Sequence, residues 1–133
     1  LQAAHEVSPP VLLDSSFLIA LERETFESEN GPARRLLSRL RGRKIVVSVV
    51  TVEEILEGAV DRDEALASLR AFSIQGLHTA HAARCASLQS RAARRMGEND
   101  AWLVATAELL GAEVVGDDRT AFERLGNRYL RFR

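Results

Sequence analysis

The sequence predicts an α/β protein organised around a mostly parallel, twisted sheet. Three observations predict it. Short aliphatic runs at 11–14, 45–50 and 113–116 read as buried strands. Stretches of helical length, amphipathic or Ala-rich, lie between them. Strands that alternate with helices pair in parallel through right-handed crossovers.

The elements follow in order. Residues 1–10 end in Pro9-Pro10 and read as an irregular lead-in. The first strand, Val11-Leu12-Leu13-Asp14, runs straight into an acid and the two hydroxyls of Ser15 and Ser16. Phe17, Leu18, Ile19 and Leu21 suggest a short apolar helix, and four Glu follow between 22 and 29. Asn30-Gly31-Pro32 marks a break or a helix start. The spacing predicts a helix over 33–42, with Leu36, Leu37 and Leu40 opposite Arg34, Arg35, Arg39 and Arg41. The β-branched run 45–50 is the second strand. Helices are expected from Thr51 to near Gly58, over 61–72, and over 79–96 with Gly97 ending the last. Asn99 is expected to cap a helix that runs to Leu110 and closes at Gly111. The third strand spans 113–116, residues 120–125 suggest a helical turn, and residues 129–132 an edge strand.

The bulk properties exclude several classes. A chain of 133 residues with 46% hydrophobic and 28% charged residues is an ordinary globular mix, expected to form a single domain over 1–133. The net charge of −1 is no global polyanion signal, so nucleic-acid binding must come from local patches. Every basic residue except Lys44 is Arg, a side chain suited to phosphate contacts. Cys85 is the sole cysteine, which excludes an intrachain disulfide and fits a cytoplasmic setting. No apolar run approaches a membrane span, and the first ten residues lack the pattern of a signal peptide.

Four acids stand out. Asp14 ends the first strand, Glu54 follows the second, Asp100 opens the helix at Asn99, and Asp118 follows the third strand. In a parallel sheet all four fall at the carboxyl edge, where ligands bind in open α/β folds. Each has a structural explanation of its own. Asp14 can cap a helix. Thr51-Val52-Glu53-Glu54 matches a capping box. Asp100 suits a helix dipole, and Asp118 can be a loop residue. The joint pattern changes the weighting. Two unit charges ~4 Å apart repel by about 4 kcal/mol at an effective dielectric near 20. Converging carboxylates therefore call for a counterion, and an all-oxygen set suits Mg²⁺ or Mn²⁺.

These segments resemble the motifs of PIN-domain ribonucleases, most of all VapC-type toxins of toxin–antitoxin pairs. The stretch from Leu13 to Ile19 resembles the family's opening strand and helix. In 48–58 a Glu precedes an apolar residue with Gly four positions on, a register that selects Glu54 over Glu53. The stretch 99–107 resembles the third motif and selects Asp100. Val114-Val115-Gly116-Asp117-Asp118, with Phe122 four residues on, resembles the closing motif and selects Asp118. The match spans 11–125. Two positions depart from it: Ser16 stands where Asn is common, and Gly116 where Ser or Thr is common. Gly116 supplies no hydroxyl, so Asp117 could substitute for Asp118.

The resemblance implies a PIN-like three-layer sandwich and a catalytic, metal-binding set of Asp14, Glu54, Asp100 and Asp118. It implies a Mg²⁺- or Mn²⁺-dependent endoribonuclease hydrolysing RNA, a small antitoxin partner, and a homodimer. Phe17, Leu18 and Leu21 offer apolar surface for that dimer. The alternatives are a housekeeping RNA-processing PIN nuclease, or a catalytically weak PIN fold serving as a binding module.

Other candidates fall away. His78 and His81 share a helix face but have too few companions for zinc. Cys85 and Trp102 read as core residues. Three basic sets, one of them Arg124, Arg128, Arg131 and Arg133, read either as solvated faces or as contacts for RNA phosphates.

Overall fold

In the computed structural model, residues 8–118 and 123–133 are described. The elements are β1 (Val11–Leu13), α1 (Ser15–Phe26), α2 (Pro32–Arg39), β2 (Ile45–Ser48), α3 (Val49–Gly58), α4 (Arg62–Leu69), β3 (Ser73–Gln75), α5 (Thr79–Arg91), α6 (Glu98–Leu110), β4 (Glu113–Gly116) and β5 (Tyr129–Arg131). A 3₁₀ helix, Glu123–Arg128, precedes β5.

The five strands form one parallel sheet in the order β3-β2-β1-β4-β5. Leu12 pairs with Val46 on one side and Val114 on the other. Strand side chains alternate between two cores. Val11, Leu13, Val47 and Val115 join Phe17, Leu36, Val52 and Leu69 under α1 to α4. Leu12, Val46 and Val114 join Cys85, Leu88, Leu103 and Val104 under α5 and α6. Both faces are covered over the three inner strands, which explains why the runs in β1, β2 and β4 are apolar instead of alternating with polar residues. The α/β three-layer architecture is the expected one.

Several boundaries differ from the sequence expectation, each for a local reason. β2 stops at Ser48, whose Oγ accepts the Val50 N–H at 3.1 Å and caps α3. Thr51 therefore lies inside the helix, and the capping box proposed for Glu54 does not exist. α5 ends at Arg91 instead of Met96, because the Gln89 amide both accepts from the Met96 N–H and donates to its carbonyl. Gly97, and not Asn99, occupies the cap position of α6. α4 stops at Leu69, three residues short of Phe72. β3 was not anticipated: Ser73-Ile74-Gln75 is short and only partly covered, so it carries no apolar run.

α1 continues through the Glu-rich stretch to Phe26, with Glu24 fully buried. Phe17 and Leu18 are also buried, so they offer no surface for a dimer; the large apolar residues exposed on this helix are Ile19 and Phe26. Of the expected turn over 120–125, residues 120–122, and with them Phe122, lie outside the described residues. So do residues 1–7 of the lead-in.

Candidate active site

The chain leaves β1 towards β2 on one side, while β4 hands on to β5 on the other. Such a switch in strand order opens a crevice beyond the carboxyl ends of the two strands between which it occurs. Asp14 follows β1 and Asp117-Asp118 follow β4, so both flank that crevice. α3 starts directly from β2 at the same edge and carries Glu54 in its second turn. Asp100 sits in the first turn of α6, and its neighbour Asn99 donates from Nδ2 to Glu54 Oε2 at 3.0 Å. The four acids come from four separate segments, the first at Asp14 and the last at Asp118.

Asp14 does two things at once. It caps α1, with Oδ1 accepting the Ser15 N–H at 2.6 Å, while Oδ2 accepts the Ser16 hydroxyl at 3.1 Å. Burial pushes its carboxyl up to about 6; the bonds from Ser15 and Ser16 oppose the rise, and the charges of Glu54 and Asp100 add to it. Burial likewise raises Asp100, and Asp118 and Glu54 push it the same way. Asp14, Glu54, Asp100 and Asp118 therefore share one electrostatic neighbourhood.

Asp117 stands apart from that set. Its Oδ2 receives two bonds from Arg133, from Nε at 2.9 Å and Nη2 at 2.8 Å, and this pairing holds its carboxyl below the usual range. Its backbone N–H donates to Ser16 Oγ at 3.2 Å. Asp117 is thus engaged by Arg133, while the charge of Asp118 acts on Asp100. Ser16 and Gly116, the two departures noted above, fit this arrangement. A Cβ on Gly116 would stand 2.8 Å from Asp14 Oδ2, so a Ser or Thr there would displace the Asp14 carboxylate. Ser16 supplies a hydroxyl instead and links Asp14, past β1, to Asp117, past β4.

The donor chemistry fits a hard divalent cation: carboxylate oxygens only, two of them driven towards protonation by burial and by one another. Among the described residues no three acids are drawn together as a finished chelating group. Like charges hold such side chains apart until a cation joins them, and Glu54 meanwhile accepts from Asn99.

The remaining candidates have other work. His81 is buried, and its Nδ1 accepts the His78 N–H at the start of α5. Cys85 is buried. A cavity of about 520 Å³ between α5 and α6 is lined by Cys85, Gln89, Arg95 and Trp102 but by none of the four acids. Sequence reasoning missed Ser16, Asn99 and the Asp117–Arg133 pair. The one available signal was the doubled Asp117-Asp118, two adjacent like charges.

Sheet order and edge acids together define an α/β protein with a carboxylate-lined crevice at the β1/β4 switch. The chain belongs to the PIN domain family, whose model matches residues 11–127. Similar folds occur in solved structures. A chain of a toxin–antitoxin complex from Klebsiella pneumoniae superposes with a TM-score of 0.75 at 21% identity, covering 92% of this chain and 98% of that one. A chain of DNA-bound VapBC from Salmonella typhimurium gives 0.75 at 18% identity, covering 95% and 100%. A chain of FitAcB from Neisseria gonorrhoeae gives 0.70 at 19%, covering 92% and 96%. No curated protein sequence matches the chain.

Proposed function

We propose that this protein is a Mg²⁺- or Mn²⁺-dependent endoribonuclease, that it is the toxin of a toxin–antitoxin pair, and that it works as a homodimer. The observation that carries the enzymatic reading is the arrival of Asp14, Glu54, Asp100 and Asp118 at one sheet edge, with Asp14 and Asp100 each raised by burial and by neighbouring acids. An edge built only for stability would not gather like charges there; perturbed carboxylates in a cleft mark functional sites. Family membership and the fold's occurrence in toxin–antitoxin complexes support the same reading.

Asp14, Glu54, Asp100 and Asp118 would hold the cation. When bound, it supplies Lewis acidity: it stabilises charge developing on the scissile phosphate and lowers the pKa of the attacking water. The chain's own residues supply orientation. Ser15 and Ser16 fix the Asp14 carboxylate, and Asn99 fixes Glu54. No side-chain nucleophile is required.

The test is RNA cleavage with added Mg²⁺ or Mn²⁺. Asp14→Asn, Glu54→Gln, Asp100→Asn and Asp118→Asn should each lose orders of magnitude in rate. In metal-free buffer they should melt no lower than wild type, because each removes a repelling charge. Mn²⁺ should raise the melting temperature of wild type more than that of the variants. Full activity in all four variants would end the nuclease reading.

A further inference from the structure

Arg133 is the feature of this edge that the four-acid reading leaves unused. Its guanidinium lies on Asp117 Oδ2 through Nε and Nη2, and its Cζ is 5.0 Å from the centroid of the Phe132 ring. Phe132 is itself buried and meets Phe17 edge-on at 5.1 Å. The Arg133 side chain is thus braced from two directions, yet 47% of it is exposed. Asp117 is next to Asp118, and Ser16 links the Asp117 backbone to Asp14. The braced cation therefore stands at the rim of the acid crevice.

Stability is a poor reason for this arrangement. An ion pair this exposed contributes about 0–1 kcal/mol. A polyanion approaching four carboxylates, by contrast, gains from a fixed cation beside them. A half-exposed guanidinium suits a phosphate, and its bracing means little further side-chain freedom is lost on binding. We propose that Arg133 is a substrate-positioning residue that takes a backbone phosphate of single-stranded RNA beside the four-acid edge, with Asp117 as its holder. The proposal rests on the ribonuclease reading and adds to it the residue that seats the strand.

The test uses a mixed-sequence single-stranded RNA oligonucleotide and the whole chain. Arg133→Gln should raise KM roughly tenfold with kcat nearly unchanged, as loss of one charge-assisted contact implies. In a cleavage-deficient Asp100→Asn background it should lower the slope of log Kd against log salt by about 0.7, the signature of one lost phosphate contact on a single strand. Arg133→Lys should keep the salt slope and recover KM in part. Asp117→Asn, which frees the cation without deleting it, should also keep the slope. The melting temperature of Arg133→Gln should stay within about 4 °C of wild type.

An unchanged KM and salt slope in Arg133→Gln, with wild type cleaving RNA, would overturn the proposal and leave the nuclease reading standing. A fall in kcat at constant KM would also overturn it, by making Arg133 a support for the acids instead of a contact for the strand. Absence of RNA cleavage by wild type in both Mg²⁺ and Mn²⁺ would remove the nuclease reading itself, and this proposal with it.

Discussion

Gly116 shows how one missing atom organises the edge. It lies at the end of β4 directly against Asp14, and a Cβ would come within 2.8 Å of Oδ2 and 3.1 Å of the Asp14 Cβ. The flexible end of the carboxylate could swing away, so the fold should survive a methyl group while the site should not. Gly116→Ala is expected to cost about 1–3 kcal/mol or less in stability and to reduce RNA cleavage by at least tenfold. Chemical denaturation and steady-state kinetics on the same variant check both halves. Wild-type activity in Gly116→Ala would show that the Asp14 position is not critical. Ser16 matters for the complementary reason: its hydroxyl donates to Asp14 and accepts from Asp117, joining two strands at the point where charge is densest.

Among the elements, α2 is the clearest case of a helix held by a distant side chain. Gly31 at its N-cap has no side chain to offer, and the buried Glu24 on α1 takes over. The Glu24 carboxylate accepts the Ala33 N–H at 3.0 Å and the Arg34 N–H at 2.8 Å. Burial pushes this carboxyl up, but the two backbone bonds together with the charges of Arg23 and Arg35 hold it below its ordinary value of 4.5. The sign then follows from linkage. Glu24 stabilises the fold above the unfolded-state value, and that contribution is lost as pH falls through the lower folded-state value. Glu24→Gln should destabilise by about 1–3 kcal/mol at neutral pH. The gap to wild type should narrow below pH 4.5. Denaturation curves at a series of pH values check this, and a gap independent of pH would show that the negative charge is not what caps α2. Gly31 is tied to the same device, since a Cβ there would meet the Glu24 carboxyl at 2.5 Å.

For the molecule as a whole, the outer side of α1 bears on quaternary state. Ile19 is 61% and Phe26 89% exposed, and seven residues along a helix return to the same face. Two large apolar side chains on one stripe are the surface a second copy of the chain would cover. Light scattering at micromolar concentration should find a dimer, and Ile19→Glu with Phe26→Glu should shift it to monomer. A wild-type monomer at that concentration would remove the dimer. Among the described residues no helix is long and apolar enough to cross a membrane.

The sequence by itself determined the layered α/β class and the edge on which the acids fall. Those features depend on short-range patterns: aliphatic runs of strand length, helical spacing between them, and acids that directly follow the first and third runs. Val11 to Leu13, Val46 with Val47, and Val114 with Val115 are apolar without alternation because both sheet faces are covered, and that is visible residue by residue. The tertiary structure decided what depends on meetings between distant residues. β3 exists because β2 offers it an edge to pair with, not because Ser73-Ile74-Gln75 has a strand's composition. Ser48 displaces Thr51 as the cap of α3 because the chain turns out of the sheet there. Glu24 is buried because α2 brings its N–H groups to it, and nothing in the local Glu-rich stretch singles it out. The difference in surroundings between Asp117 and Asp118 was the least legible of all. It turns on Arg133, sixteen residues downstream of Asp117 and beyond β5, and only parallel pairing of β5 with β4 brings that guanidinium to Asp117.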